Sequence, residues 1–243
     1  MLKHDLNSNM QLFYLPNLNE KSEKAIFSKE ESKHIFKVLR KKIGDEISIT
    51  NGKHIFFKGI INSISKNNCE VHIQNFEEKD KLNYSLHVVI SVLKSNERFE
   101  WFLEKASEIG ITQITPVICE RSERKFINEK RLNKILVSAM KQSLKAHHPI
   151  LNPVISLKDF YKNKFDNELF IANCNETKKE LLINSLKPKT NVTLLIGPEG
   201  DFTDNEVNSA INLGFKPVSL GNTRFRAETA AIIATHTVSI VNM

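Results

Sequence analysis

Two glycine-bearing loops near the end of this chain hold the residue types best suited to gripping a small polar ligand. The first, Ile196-Gly197-Pro198-Glu199-Gly200, ends the apolar run 192–196. The second, Leu220-Gly221 followed by Arg224-Phe225-Arg226, ends the run 217–220. Each loop opens into a helical pattern. Strand, loop and helix in that order aim backbone N–H groups and the positive helix end at one pocket. Four of the eight glycines, Gly197, Gly200, Gly214 and Gly221, fall in this stretch. Glycine there permits close backbone approach to a ligand, or serves only a tight turn, so two ordinary βα turns compete with a binding site. Neither loop has the G-x-G-x-x-G or G-x-x-x-x-G-K-[ST] form, which argues against the usual dinucleotide and nucleoside triphosphate cradles. No H-E-x-x-H or similar cluster points to a metal.

Arg121 is a third chemical candidate. It lies just past the apolar run 111–118, and open α/β sheets place ligands at strand C-terminal ends. Pairing with Glu120 or Glu123 is the alternative. From residue 86 onward strands alternate with long helices, the signature of a mainly parallel sheet. Run 86–93 is a buried strand. Asn96 is placed to cap a helix with Phe99, Phe102, Leu103, Ala106 and Ile109 on one stripe, ended by Gly110. Asn128 caps a second helix, with Leu132, Ile135, Leu136, Ala139, Met140 and Leu144 turned inward. Its other face carries Arg131, Lys134, Lys141 and Lys145, a basic surface suited to an RNA backbone. Two more βα units come next, 169–174 with 176–186 and 192–196 with the first loop. Thr203-Asp204-Asn205-Glu206 is a capping box that starts the helix after that loop. The last helix begins at Ala227. Its small residues Ala230, Ala231, Ala234 and Thr235, interleaved with Ile232, Ile233 and Val238, suit packing on its own sheet or on a second helix.

The first 76 residues read as a separate β-rich module. A strand over 10–15 precedes Ser28-Lys29-Glu30-Glu31, the form of a capping box, and a helix with Ile35, Val38 and Leu39 on one face. Asn51-Gly52 between runs 46–50 and 55–61 signals a hairpin, and 69–76 is a third strand. The charged stretch 77–83 is the linker. Lys37, Arg40 and Lys41 suit phosphate contact, or form a solvated helix end; His34 beside them is an RNA contact or a structural residue. The formal charge of +7 favours a polyanionic partner only weakly, because excess lysine also serves solubility. With 40% hydrophobic residues the chain has enough for a core, and a disordered chain is not expected. Three scattered cysteines support neither structural zinc nor a disulfide framework. No signal peptide or apolar run of membrane length occurs, so a cytoplasmic protein with no membrane contact is expected.

The two loop motifs, with Ala227-Glu228-Thr229-Ala230 after the second, resemble the RsmE family of the SPOUT class. Those are ribosomal RNA methyltransferases that act on uracil N3 of small-subunit (16S) rRNA. Glu104-Lys105-Ala106-Ser107-Glu108-Ile109-Gly110-Ile111, then Pro116, Arg121 and Ser122, are similar to the family as well. So is the stretch 140–149, although Lys141 and Lys145 stand where Glu and Arg are usual; Asp201 likewise replaces a usual Gly. His34–Arg40, Gly44-Asp45 and Asn51-Gly52 resemble the family's N-terminal domain. The resemblance implies an α/β protein with an N-terminal PUA-like β-barrel domain (1–76) that binds RNA. It also implies a C-terminal SPOUT α/β domain (84–243) with a trefoil knot that binds S-adenosylmethionine. A knot cannot be inferred from patterning. Cofactor contacts implied are Leu195, Ile196, Gly197, Pro198, Glu199, Gly200, Leu220, Gly221, Arg224, Phe225, Thr229 and Ala230. A homodimer acting on 16S rRNA or the small ribosomal subunit is implied too.

Uracil N3 carries a proton and is a poor nucleophile until it is removed. The reaction needs in-line placement and donors for charge developing on O2 or O4. Arg226 and Arg121 are the candidate donors. Glu199 and Glu228 are candidate bases, each equally able to cap a helix or hold an arginine. Candidate RNA contacts are His34, Lys37, Arg40, Lys41, Arg131, Lys134, Lys141 and Lys145. A catalytically silent RNA-binding ribosome-assembly factor with the same fold is the alternative; Arg226 and the open glycine loops separate the two, since binding alone requires neither. The same chemistry on another RNA is a third possibility, because basic surface does not specify sequence.

Overall fold

The protein is described by a computed structural model covering residues 11–174 and 179–243, in two compact units. One unit comprises the chain up to Lys81 together with Met140–His148; the other comprises Leu82–Ala139 and Pro149–Met243.

The first unit runs β1 (Leu12–Tyr14), β2 (Lys24–Phe27), α1 (Lys29–Lys33), a π turn (His34–Val38), β3 (Glu46–Thr50), β4 (Ile55–Ile64) and β5 (Cys69–Glu78). Its strands form one curled, PUA-like sheet in the order β1-β3-β4-β5-β2. Period-two alternation buries Ile47, Ile49, Phe57, Ile61 and Val71 around Phe13 and Phe27. The Asn51-Gly52 turn joins β3 to β4, with Gly52 at φ +71°. Asn51 Oδ1 accepts from Lys53 N at 2.8 Å, and its Nδ2 donates to Leu18 O at 3.2 Å. Gly52 is tight as well as left-handed. A Cβ there would sit 2.8 Å from the Tyr14 ring and 2.9 Å from His148 Cβ.

Three details of this unit differ from expectation. The segment Met140–His148, which the pattern leaves in the C-terminal half, belongs here. The hairpin turn has backbone groups to satisfy, and this segment meets them: His54 N donates to Ala146 O and His148 N to Gly52 O, each at 2.9 Å. The helix around residue 34 widens after α1 into a π turn, in which Leu39 N donates to His34 O at 3.1 Å. That widening leaves Ile35 buried but turns Val38 outward at 65% exposure, so the predicted single apolar face is not kept. Finally β5 extends to Glu78, two residues into the charged linker.

The second unit contains β6 (Leu86–Ser91), α2 (Asn96–Ile109), β7 (Gln113–Ile118), α3 (Glu129–Gln142, whose last residues join the first unit), β8 (Ile150–Leu151), β9 (Ile155–Ser156) and α4 (Leu157–Phe160). It continues with β10 (Glu168–Ala172), β11 (Glu180–Leu181), α5 (Leu182–Ser185), β12 (Val192–Ile196), α6 (Asp204–Asn212), β13 (Lys216–Ser219) and α7 (Ala227–Val241). The strands pair in parallel in the order β11-β13-β10-β12-β6-β7-β8, with β9 beside β7. Both sheet faces are buried. Val88, Ile90, Ile114 and Leu194 join the core of α2 and α7, whereas Val89, Val117, Ile171 and Leu195 pack with Phe160, Val207 and Ala210 on the other side. Register pairs Ala172 with both Ile196 and Val218, so β10, β12 and β13 end together at one edge.

Here too the local chemistry refines the pattern. Ser95, not Asn96, caps α2, its hydroxyl accepting from Arg98 N at 3.4 Å. Asn128 caps α3 as expected, accepting from Arg131 N at 3.1 Å. Leu144 lies past the end of α3 at φ +52° and is 37% exposed, so it is not on the helix's inner face. Of the helix expected over 176–186, residues 176–178 lie outside the described residues, as does Met10 of the first expected strand. The remainder of that span forms β11 and the single turn α5. Ala231, Ala234, Thr235 and Val238 of α7 are buried in their own unit, so most of the small-residue stripe is used within the chain. Among the described residues no helix is long and apolar enough to cross a membrane.

The hairpin turn sets the first prediction. Asn51→Ala strands Lys53 N–H and Leu18 C=O, so urea unfolding should show a loss of about 1–3 kcal/mol with a similar slope. Unchanged stability would mean that water replaces both bonds.

Candidate active site

The common edge of β10, β12 and β13 carries one cleft, in two lobes of about 380 and 360 Å³. Both lobes share Ala172, Cys174, Arg224, Phe225 and Ala230. Ile196, Gly197, Pro198, Glu199 and Arg226 line the first lobe, and Leu220 and Gly221 the second. The two glycine loops therefore converge, as their strand–loop–helix order implies. Leu195, Gly200, Thr229 and Arg121, named from the sequence with the others, line neither lobe. Alternation explains Leu195: it faces the Phe202 and Val207 side of the sheet and is fully buried there.

The glycines do different jobs. Gly221 sits at φ +152° in a turn closed by Ser219, whose hydroxyl donates to Gly221 O at 2.9 Å. A side chain there would be strained. Gly197 is small because of what lies behind it: a Cβ would meet the Phe202 ring at 3.0 Å. Gly200 has only the Arg121 side chain nearby, at 3.5 Å, an ordinary contact. Asp201, where a glycine is usual, is left-handed at φ +63°. Its carboxylate supports that conformation by accepting from Phe202 N at 2.8 Å and Cys174 N at 2.7 Å, which ties the first loop to the end of β10.

Glu206 ties the same loop to the end of β7. It is N3 of α6 and completes the capping box, accepting from Thr203 N at 2.8 Å while Thr203 Oγ1 accepts from Glu206 N. Its other oxygen accepts from Glu120 N at 2.8 Å. Arg121 is the next residue, and its Nη1 donates to Gly200 O at 2.9 Å and Phe202 O at 3.3 Å. Arg121 is thus held by loop carbonyls, not by Glu120 or Glu123. Ser122 Oγ accepts from Cys119 N at 2.8 Å and bonds Ser91 Oγ at 2.9 Å, closing the turn. Burial pushes the neighbouring Cys119 thiol up to about 12, with Glu206 adding to the rise, so it stays a neutral packing residue.

The candidate acids are placed unequally. Glu199 is half-buried in the first lobe; its Oε1 accepts from Lys94 N at 3.0 Å. Glu228 lines neither lobe. It is buried in the first turn of α7 with Oε1 3.6 Å from Arg98 Nε. Arg226, the N-cap residue of α7, is exposed at the mouth of the first lobe.

Sequence reasoning missed Ala172, Asn173 and Cys174 at the end of β10, and Lys179 just before β11. Finding them needs the strand order that sets β10 between β12 and β13.

The expected RNA-contact residues divide the same way. Lys37 and Arg40 are exposed, beside Val38 and Ile43 at 65% and 66% exposure. Lys41 Nζ donates to Glu46 O at 3.1 Å, and His34 Nε2 accepts from the Gln11 amide at 3.3 Å. Of the expected contacts on α3, Lys134 is exposed with no ion pair among the described residues. Arg131 pairs with Glu100 at 2.6 Å. Lys141 pairs with Glu31 at 3.0 Å, and burial pulls the Lys145 pKa down.

Removing the Glu206 carboxylate tests the tie. Glu206→Ala should cost about 1–3 kcal/mol by leaving buried donors unpaired, and should speed amide exchange at Glu120 and Thr203 together. Exchange that rises at Thr203 alone would show that the carboxylate serves only as a cap.

The comparisons with known proteins agree with this geometry. An RNA methyltransferase domain model matches residues 80–239, and an RNA methyltransferase PUA domain model matches residues 27–74. The ribosomal RNA small subunit methyltransferase E of Rickettsia conorii is 31% identical over 220 residues, covering 89% of each chain. A crystal structure of a probable rRNA methyltransferase from Porphyromonas gingivalis superposes with a TM-score of 0.89 at 35% identity, covering 96% of this chain and 98% of that one. The Neisseria gonorrhoeae ribosomal RNA small subunit methyltransferase E, solved bound to S-adenosylmethionine, gives 0.84 at 25% identity, with the same coverage. This chain belongs to the RsmE family of ribosomal RNA small subunit methyltransferases.

Proposed function

We propose that this protein transfers a methyl group from S-adenosylmethionine to N3 of a uridine in 16S rRNA, in the cytoplasm. The observation that carries the proposal is the convergence of both glycine loops, Glu199 and Arg226 on one cleft. The cleft fits the cofactor. Ile196, Leu220, Phe225 and Ala230 offer apolar walls for an adenosine, and each lobe lies within the size range of small-molecule sites. The buried amide of Asn173 has no partner on either polar atom, which suits a polar ligand group.

When bound, the cofactor supplies an electrophilic methyl on a sulfonium, which leaves as a neutral thioether. The chain's residues supply the rest. Glu199 is the acid of the first lobe with one oxygen, Oε2, that makes no hydrogen bond among the described residues, and it accepts the uracil N3 proton. The freed N3 electron pair then forms the new N–C bond. The Arg226 guanidinium, fully charged and at the lobe's mouth, steadies the charge that develops on the uracil oxygens. Arg121 acts through position, holding the first loop closed by its backbone carbonyls. The knotted path and the homodimer belong to the same proposal, supported by family membership. On the outward side of α7, Ile240 remains 46% exposed for a second copy.

Incubation with small subunits and methyl-labelled cofactor, then nucleoside digestion, is the test. Labelled 3-methyluridine is the expected product, and Glu199→Gln should lower kcat by roughly 10²–10⁴-fold with cofactor affinity kept. Label on another nucleoside would overturn the N3 assignment, and full activity in Glu199→Gln would remove the base.

RNA docking gives a separate test. Lys37→Gln with Arg40→Gln should weaken rRNA binding and reduce the salt slope by about one to two units, whereas Lys141→Gln should leave the slope alone because that charge is already paired. An unchanged slope in the double variant would mark Lys37 and Arg40 as a solvated turn.

A further inference from the structure

We propose that Phe126 stacks on an unpaired base of the RNA substrate near the nucleotide being methylated, while the cations around the ring hold the phosphates; the proposal rests on the rRNA substrate assigned above. Phe126 lies between β7 and α3 and is 71% exposed, the most exposed aromatic residue among the described residues. One exposed ring is ordinary on a protein surface; what distinguishes this one is how its loop is held. Arg121 Nη1 donates to Gly200 O at 2.9 Å, which fixes the start of the loop to the first glycine loop. Glu123 pairs with the Lys94 ammonium at 2.7 Å, and the Lys94 N–H in turn donates to Glu199 Oε1 at 3.0 Å. Arg124 Nη1 donates to Asn96 Oδ1. Ile127, the residue after the ring, is buried in the core with Phe99 and Phe102 of α2. Phe126 therefore points outward from a segment braced beside the first lobe.

Reach and charge choose the partner. The Phe126 Cα is five residues from that of Arg121, so the two are at most about 18 Å apart. Stacked nucleotides advance about 3.4 Å each, which puts the ring within reach of the few that flank a base in the cleft. Lys125 and Lys130 are exposed with no ion pair among the described residues. Arg124 bonds a neutral amide and keeps its charge, whereas Glu123 is neutralised by Lys94. Glu129 opens α3 and accepts from Val154 N at 3.3 Å. Positive charge thus dominates beside the ring, which favours a polyanion over an apolar protein face. Single-stranded RNA is held by this combination, with bases on aromatic faces and phosphates on cations. A base that enters the cleft leaves its own stack, so its neighbour loses a stacking partner that the Phe126 ring replaces. The ring makes no hydrogen bond and so selects an unpaired base without reading which base it is.

The test replaces the ring alone in the full chain and measures 16S rRNA binding at several salt concentrations. Phe126→Ala and Phe126→Leu should each weaken binding on the order of 5- to 100-fold, the range for one base–aromatic stack. The salt slope should stay that of wild type because no charge is removed, whereas Lys125→Gln should lower it by about one. Phe126→Trp keeps an aromatic face and should bind within about twofold of wild type. Affinity for S-adenosylmethionine, read by calorimetry, should be the same in all four variants, and melting temperatures report that each is folded. Full rRNA affinity in folded Phe126→Ala would overturn the proposal. Full affinity in Phe126→Leu would overturn it too, since any apolar group would then serve. So would a wild-type dimer that falls apart in Phe126→Ala by light scattering, because a second copy would then cover the ring. Wild-type protein that binds 16S rRNA no better than an unrelated RNA of the same length would instead reject the substrate on which this proposal stands.

Discussion

The shape of the cleft depends on one buried carboxylate. Glu206 belongs to α6, yet its two oxygens serve two separate segments, the N–H of Thr203 at the helix start and the N–H of Glu120 at the end of β7. A carboxylate in a protein interior is costly unless its lone pairs are used and positive potential is near. Both conditions hold, because Glu206 lies in the first turn of α6, at the positive end of that helix. Once Glu120 is fixed, Arg121 is carried to the carbonyls of Gly200 and Phe202. Asp201 repeats the device on the other side by holding Cys174. Parallel strands bring three chain segments to one edge. These few charge-assisted bonds then set the first loop to the geometry its neighbours require.

Much of this was legible in the residues. The capping box at Thr203–Glu206, the Asn51-Gly52 hairpin and the α2 stripe all arise from short-range chemistry. Each depends on neighbours within a few positions. The features that could not be read depend on partners far along the chain. Asn173 and Cys174 reach the cleft because β10 is sandwiched between β12 and β13, and no periodicity encodes that order. Residues Met140–His148 complete the first unit because the turn at Gly52 offers backbone groups to a segment more than eighty residues away. Val38 faces water because the helix widens to a π turn, a change invisible to a 3.6-residue pattern.

Charge alone was a weak guide to RNA contact for a related reason. On α3 and its extension, Arg131 and Lys141 are neutralised by Glu100 and Glu31, and Lys145 is half-buried. A cation already paired on the protein releases fewer counterions when a phosphate approaches. The open cations Lys37, Arg40 and Lys134 therefore carry more of the expected electrostatic attraction than the sequence count suggests. Glycine presents the same lesson: Gly197 makes room for Phe202, Gly221 adopts a left-handed backbone, and Gly200 does neither.

The central claim is that both glycine loops close on a single cofactor cleft, and amide chemical-shift mapping during titration with S-adenosylmethionine tests it most directly. The predicted result is saturable shifts at Gly197, Gly221 and Asn173 with one shared dissociation constant, while Gly44 and Gly52 of the first unit stay still. Shifts confined to one loop, separate saturation of the two loops, or a response centred elsewhere in the chain would contradict it.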